Sequence, residues 1–152
     1  MAAGLRFRYS LEAALSVRVR AVDSARAEEL NARSVVVEKQ EAAAKSRALV
    51  ASLEHELREL LGEGRNFDLQ RRGVLASYLA SVRQRLAVAL SDLAQAENVH
   101  EQARQSLQAH AQRKRALERH REMKRDEHMS AAVTAEYNAQ DELWLAKVVN
   151  RD

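Results

Sequence analysis

Residues 62–73 read Gly62-Glu63-Gly64-Arg65-Asn66-Phe67-Asp68-Leu69-Gln70-Arg71-Arg72-Gly73, and this stretch decides the fold. It holds all but one of the 4 glycines in a chain of 152 residues that has no proline. Between Gly4 and Gly62, and from Gly73 onward, nothing in the sequence interrupts a helix. Gly62 or Gly64 supplies the left-handed residue that ends a first helix, and Asn66 and Asp68 are candidate caps for a second. At the other boundary Ser10 can accept first-turn amide bonds, and Glu12 then sits at the positive end of the helix dipole. The expected layout is a first helix over about residues 10–61, a turn reaching at most from 62 to 73, and a second helix from about residue 70 or 74 to 148. At 1.5 Å per residue these helices are about 75 and 110 Å long, well beyond ordinary globular helices.

Composition supports the same layout. Charged residues make up 31% of the chain and aromatic residues only 4%. The dominant Ala, Leu, Glu, Arg and Gln lose little rotamer freedom in a helix, and such a mixture with helical periodicity marks long helices or coiled coils. With no cysteine the chain has no disulfide, thiolate nucleophile or thiolate metal site, which suits a reducing compartment. No apolar run approaches the roughly 18 residues needed to span a bilayer, and Glu12 and Arg18 interrupt any signal-peptide core. A cytoplasmic, soluble protein is the simplest expectation. The net charge of +3 and pI near 9.5 are mildly basic.

Heptads sharpen the layout. In the second arm Leu75, Leu79, Val82, Leu86, Ala89, Leu93, Ala96, Ala103 and Leu107 alternate three and four residues apart, with His100 and His110 on the same line. The matching line in the first arm runs through Leu11, Leu15, Val22, Ala25, Ala32, Val36, Ala43, Val50, Leu53, Leu57 and Leu60, and it also takes in Arg18, Glu29, Lys39 and Ser46. One apolar stripe per helix, broken by a Gly-rich turn, specifies an all-α fold: a single domain made of a long two-helix antiparallel coiled-coil hairpin. Folding about the turn brings Leu57 near Leu79, Leu53 near Val82, Val36 to His100 and Leu15 toward Arg121. The second helix then overhangs the first by about 20 residues. So narrow a seam confers modest stability alone, and a partner is expected.

Little in the chain points to chemistry. Glu54, His55, Glu56 and Glu59 resemble the start of a zincin helix, but Glu59 stands where the second His must be. His100, His110, His120 and His128 are spread about ten residues apart, which prevents convergence on one metal. No phosphate-binding glycine loop is present, and a two-helix hairpin cannot exclude water from a reacting centre. The expectation is a protein without enzymatic activity, cofactor, metal or small-molecule substrate.

Two features point instead to binding. Arg113, Lys114, Arg115, Arg119, Arg121, Lys124 and Arg125 outnumber Glu118 and Glu122, and the antiparallel fold lays Arg6, Arg8, Arg18 and Arg20 beside them. This basic region is either a solvated face laced with i,i+3 and i,i+4 pairs or a surface that meets an acidic partner. Nucleic acid is a weaker alternative, because no aromatic residues interleave the basic ones to stack on bases, leaving only nonspecific phosphate binding. A generic coiled-coil scaffold is a further alternative. Apolar residues off the seam are the second feature. Tyr78, Val35 and Val37 flank it, and the tail carries Leu143, Trp144, Leu145, Val148 and Val149, with Leu5, Phe7 and Tyr9 near the other terminus. The simplest expectation is that the two termini pack on each other; otherwise an exposed Trp or Tyr is an interface anchor.

The opening Phe7-Arg8-Tyr9-Ser10-Leu11-Glu12-Ala13-Ala14-Leu15-Ser16-Val17-Arg18 resembles the start of the FliJ family, an aromatic-x-aromatic-x-Leu-Glu run leading to Leu-x-x-Arg. Tyr78-Leu79-Ala80-Ser81-Val82 is similar to that family's aromatic-Leu segment after the turn. Arg113-Lys114-Arg115-Ala116-Leu117-Glu118-Arg119 resembles its basic run, and Gln140-Asp141-Glu142-Leu143 its closing segment. The resemblance spans nearly the whole chain in order and spacing. It implies the central stalk of an export ATPase, in flagellum biogenesis and motility or in virulence type III secretion, similar to the coiled coil of the rotary ATP synthase γ subunit. On that resemblance both termini enter the pore of a hexameric export ATPase, where the basic residues would face acidic loops. The turn-side half would contact the cytoplasmic domain of the export gate around Leu49, Leu53, Tyr78 and Val82. The resemblance also implies binding of export chaperones, and a cytoplasmic location held at the inner face of the cell membrane through partners.

Overall fold

In a computed structural model the described residues are 7–62 and 69–149. Two helices make up nearly all of them: α1, Glu12–Gly62, of 51 residues, and α2, Leu69–Val149, of 81 residues. They pack against each other as an all-α helical hairpin, with no strand among the described residues. Gly4, Leu5, Arg6, Gly64, Asn66 and Asp68, to which the sequence reading gave roles, lie outside the described residues, as do the side chains of Val148 and Val149.

The helix ends follow local chemistry. Before α1, Glu12 N donates to Tyr9 O at 3.3 Å and Leu15 N to Leu11 O at 2.9 Å, while the Glu12 carboxylate sits in the first turn, where the dipole favours it. Gly62 ends α1 without left-handed backbone. Of the two starts the sequence allows for α2, the helix takes the earlier: it begins at Leu69, so Gly73 lies inside it. One glycine costs a helix about 0.5–1 kcal/mol relative to alanine, too little to stop propagation once neighbouring turns pack. A Cβ added at Gly73 would meet nothing within 4 Å, and its backbone is not left-handed. Gly73→Ala is therefore expected to raise stability by about 0.5–1 kcal/mol, read as a higher midpoint in thermal unfolding by circular dichroism; a lower midpoint would contradict this account.

The chain divides into two compact units, a turn-side unit Ser24–Leu107 and a terminal unit formed by Met1–Asp23 with Gln108–Asp152. In the turn-side unit the predicted seam is the buried line. Ala25, Ala32, Ala43, Leu53, Leu79 and Val82 are buried, and Glu29, Val36, Lys39, Ser46, Val50, Leu57, Leu75, Leu86, Ala89, Leu93, Ala96, His100 and Ala103 are half-buried. Leu53, Leu79 and Val82 form the core, with Val50, Leu57 and Leu75 packed on it. Each large side chain so buried contributes on the order of 1.5–3 kcal/mol. The small alanines farther along α1 let two helices approach but bury little area.

Polar seam residues set the pairing. Lys39 Nζ lies 3.3 Å from Asp92 Oδ2, and His100 Nε2 lies 2.8 Å from Glu29 Oε1. Beside the seam Arg83 reaches Glu54 at 2.7 Å and Arg71 reaches Glu56 at 3.4 Å. Rising numbers on α1 meet falling numbers on α2, as an antiparallel pair requires. His100, expected opposite Val36, instead engages Glu29, one heptad nearer the N-terminus. The earlier start of α2 accounts for the direction of this shift, since each α2 residue then meets an α1 residue of lower number.

In the terminal unit Leu15 is buried, with Arg18, Val22, His110, Lys114 and Leu117 half-buried along the same heptad line. His110 Nδ1 is shielded from solvent and has no hydrogen-bond partner among the described residues. Arg121, expected near Leu15, reaches Glu12 at 3.7 Å. Beyond His128, every α2 residue from Met129 to Lys147 is exposed, so the second helix continues past the part covered by the first.

Candidate functional site

The basic residues of the terminal unit fall into two groups. Arg8, Arg113, Arg115, Arg119 and Arg125 are exposed. Others are partly committed within the chain. Lys114 and Arg18 occupy heptad positions on the seam and are half-buried, and Lys114 pairs with Glu118 at 3.3 Å. Arg121 pairs with Glu12, Lys124 pairs with Glu127 at 2.7 Å, and Arg20 donates to Ser16 Oγ at 3.3 Å. These exposed pairs are each worth only about 0–1 kcal/mol, so an acidic partner could exchange them at little cost. Arg6, placed in this set by the sequence reading, lies outside the described residues.

The terminal aromatics do something the sequence reading missed. Instead of packing on the tail, they pack on α2 histidines. Tyr9 Oη donates to Leu117 O at 3.2 Å and lies 2.9 Å from His120 Nδ1. The Phe7 and His128 rings meet edge-on with centroids 5.6 Å apart. Leu143, Trp144 and Leu145 stay exposed. The signal was present in the pairing itself: an antiparallel arm carrying Glu29 to His100 carries Tyr9 to His120. In the sequence only His100 and His110 stand out as seam positions, and the ten-residue spacing of the four histidines points to no metal site. Among the described residues no three His, Asp or Glu side chains gather as a metal site would require, and no helix is long and apolar enough to cross a membrane.

On the turn-side unit the four residues expected to meet a gate separate cleanly. Leu53 and Val82 are only 7% and 1% exposed; they hold the seam and have no surface to offer. Leu49 and Tyr78 are 39% and 43% exposed. In heptad terms both flank the seam at g positions, which face each other in an antiparallel pair. The Glu56–Arg71 ion pair joins the neighbouring g positions, and one heptad inward along each helix stand Leu49 and Tyr78. They thus share one side of the hairpin and offer an apolar, aromatic patch. Away from it, Glu101 has its carboxyl held below the usual range by the Gln105 hydrogen bond at 3.0 Å and then by Arg104; it belongs to neither surface.

Neither a family model nor a curated protein matches the chain. Among solved structures, CT670, a proposed YscO homolog from Chlamydia trachomatis, superposes with a TM-score of 0.76 at 20% sequence identity, covering 96% of this chain and 99% of that one. The two proteins share a fold. The likeness runs over nearly the whole of both chains.

Proposed function

We propose that this chain is a non-enzymatic central stalk of a protein export apparatus of the flagellar or type III secretion kind. The observation that carries this reading is the end-to-end fold match to a YscO-type protein, since YscO-type and FliJ-type stalks are related and the sequence independently resembles the FliJ family. In this reading the terminal unit enters the ring of a hexameric export ATPase, with Arg8, Arg113, Arg115 and Arg119 facing acidic loops. Leu49 and Tyr78 on the turn-side unit meet the cytoplasmic domain of the export gate, and export chaperones dock on the exposed helix faces. The location is cytoplasmic, at the membrane only through those partners. Electrostatic complementarity of this kind speeds encounter and selects the partner more than it adds raw affinity, which suits a part that must engage a ring and still turn within it.

The test is a titration of the full chain into the purified export ATPase from the same cell, following complex formation and ATP hydrolysis together. A complex and a several-fold faster hydrolysis rate are expected. Finding neither at low salt would end the reading, and a steeply salt-dependent shift of DNA in its place would favour a phosphate-binding protein.

A further inference from the structure

Leu49 and Tyr78 flank the seam of the turn-side unit on one side, and the other side is built differently. There the flanking positions are e, marked by the Glu54–Arg83 ion pair at 2.7 Å, with the b positions just outside them. Counting back from Glu54 in sevens gives Arg47, Gln40, Arg33 and Arg26 at e, with Val37 and Leu30 among the b positions. All six are exposed, Leu30 by 54% and Val37 by 48%. Arginine and large apolar side chains therefore alternate along one edge of α1.

These arginines are not answered within the chain. Three and four residues from Arg47 stand Ala43, Ala44, Val50 and Ala51, with no carboxylate among them. The one acid that near to Arg33 is Glu29, which His100 takes at 2.8 Å. Arg26 has Asp23 and Glu29 within the same span and pairs with neither among the described residues. Across the seam, heptad steps from Glu54–Arg83 set Arg47 beside Leu90, Gln40 beside Glu97 and Arg33 beside Arg104. Arg104 is itself held by Glu101 at 3.0 Å, and Glu97 stands at the one rung where α1 carries no arginine. Over residues 26–58 and 83–104, the e and b positions hold six basic and three acidic side chains. The g and c positions of the same stretches hold two basic and four acidic, so the basic excess belongs to this side alone.

Such an edge suits a helix. Seven helical residues rise about 10.5 Å, so a helix laid alongside meets the arginines in step along its length. An extended peptide repeats its side chains every ~6.6 Å and falls out of step. No aromatic side chain stands at these e and b positions to stack on a base. We propose that this side of the turn-side unit docks an acidic amphipathic helix of another protein. Its carboxylates lie over Arg26, Arg33 and Arg47, and its apolar side chains pack on Leu30 and Val37. At the rung of Gln40 and Glu97 that helix carries a neutral or basic residue, which gives the pairing its register. The arginines it engages have no internal ion pair to break. One helix on one edge buries a small interface, so dissociation on the order of tens of micromolar is expected. The inference does not rest on the stalk reading, because it uses neither the terminal arginines nor Leu49 and Tyr78.

Fluorescence anisotropy with the full chain tests it. The probe is a labelled synthetic helix of about four heptads, with a leucine stripe, glutamate at three flanking rungs and glutamine at the fourth. A scrambled peptide of the same composition should bind at least about tenfold more weakly. Arg26→Glu, Arg33→Glu and Arg47→Glu combined should weaken the ordered peptide at least about tenfold. The same variant should take up a peptide with lysine in place of each glutamate, which the unmodified chain should not. Leu30→Gln with Val37→Gln should also weaken binding, by about fivefold or more. Lys45→Glu with Arg85→Glu on the opposite side, and Arg113→Glu with Arg115→Glu in the terminal unit, should each change it less than about twofold. All these residues are exposed, so far-ultraviolet circular dichroism should not change. Equal binding of ordered and scrambled peptides, or equal loss from the reversals off the strip, overturns the proposal, since the attraction is then to net charge alone. Failure of the peptide to bind, with the chain retained instead on phosphatidylserine vesicles and released by the triple reversal, overturns it in favour of a membrane surface.

Discussion

Val82→Asp is expected to abolish the cooperative thermal transition of the turn-side unit. Val82 is 1% exposed and sits between Leu53 and Leu79 in the core. A carboxylate there must be buried unpaired or must part the helices, and either course costs several kcal/mol. Compact domains hold only about 5–15 kcal/mol in total, and a seam one side chain wide holds no surplus. The neighbouring Val88→Asp is the internal control: Val88 is 53% exposed, and its replacement should move the midpoint by no more than about 0.5 kcal/mol allows. Both have equal helix propensity cost, so comparing their melts by far-ultraviolet circular dichroism isolates the seam. Equal melting of the two variants would show that the coiled-coil seam does not hold this fold.

The largest functional effect is expected from reversing the exposed charges of the terminal unit. With Arg8, Arg113 and Arg115 all changed to Glu, affinity for the export ATPase should fall roughly a hundredfold at low salt, from about 1 kcal/mol lost per reversed contact, and stimulation of hydrolysis should fall with it. These three residues are exposed, so loss of coupling cannot be traced to unfolding. Raising salt should weaken the unmodified complex in the same direction, because exposed charges are screened within about 10 Å at 0.1 M ionic strength. Stimulation that survives the triple reversal unchanged would remove the basic surface from the coupling account.

The hairpin was legible because its determinants are local and repeated. Glycines crowd one segment, no proline falls elsewhere, and a stripe of three- and four-residue steps runs through each arm. Even Arg18, Glu29, Lys39 and Ser46, which spoil the first-arm stripe, proved to lie on the buried line. The vertical pairing was not legible to the same degree. A heptad repeat looks the same after a slip of seven residues, so apolar side chains alone cannot choose between registers. The choice falls to polar pairs such as Lys39–Asp92 and Glu29–His100, which a slip of one heptad would separate. The start of α2 stayed open between about residues 70 and 74 because a helix tolerates Gly73 at a cost under about 1 kcal/mol. For the candidate surfaces, residue type was the guide, and type does not distinguish Leu49 and Tyr78 from Leu53 and Val82. Only heptad position does, since the first two flank the seam and the other two form it. The histidine partners of Phe7 and Tyr9 are contacts far apart in sequence, invisible until the register is set.

The uneven size of the seam residues has a consequence for how the chain reaches this structure. Leu53, Leu79 and Val82 stand close to the turn in sequence, whereas farther along the turn-side unit the buried α1 positions are Ala43, Ala32 and Ala25. Closing a short loop loses less chain entropy than closing a long one, and here the short closure also gains the largest apolar reward. The contacts that are quickest to meet are thus the ones most worth keeping. Folding is therefore expected to begin beside the turn and zip outward, each added heptad resting on the one before. On that order the terminal unit would join last and open first, so the segment proposed to enter the ATPase ring would be the one whose native pairing is most readily undone.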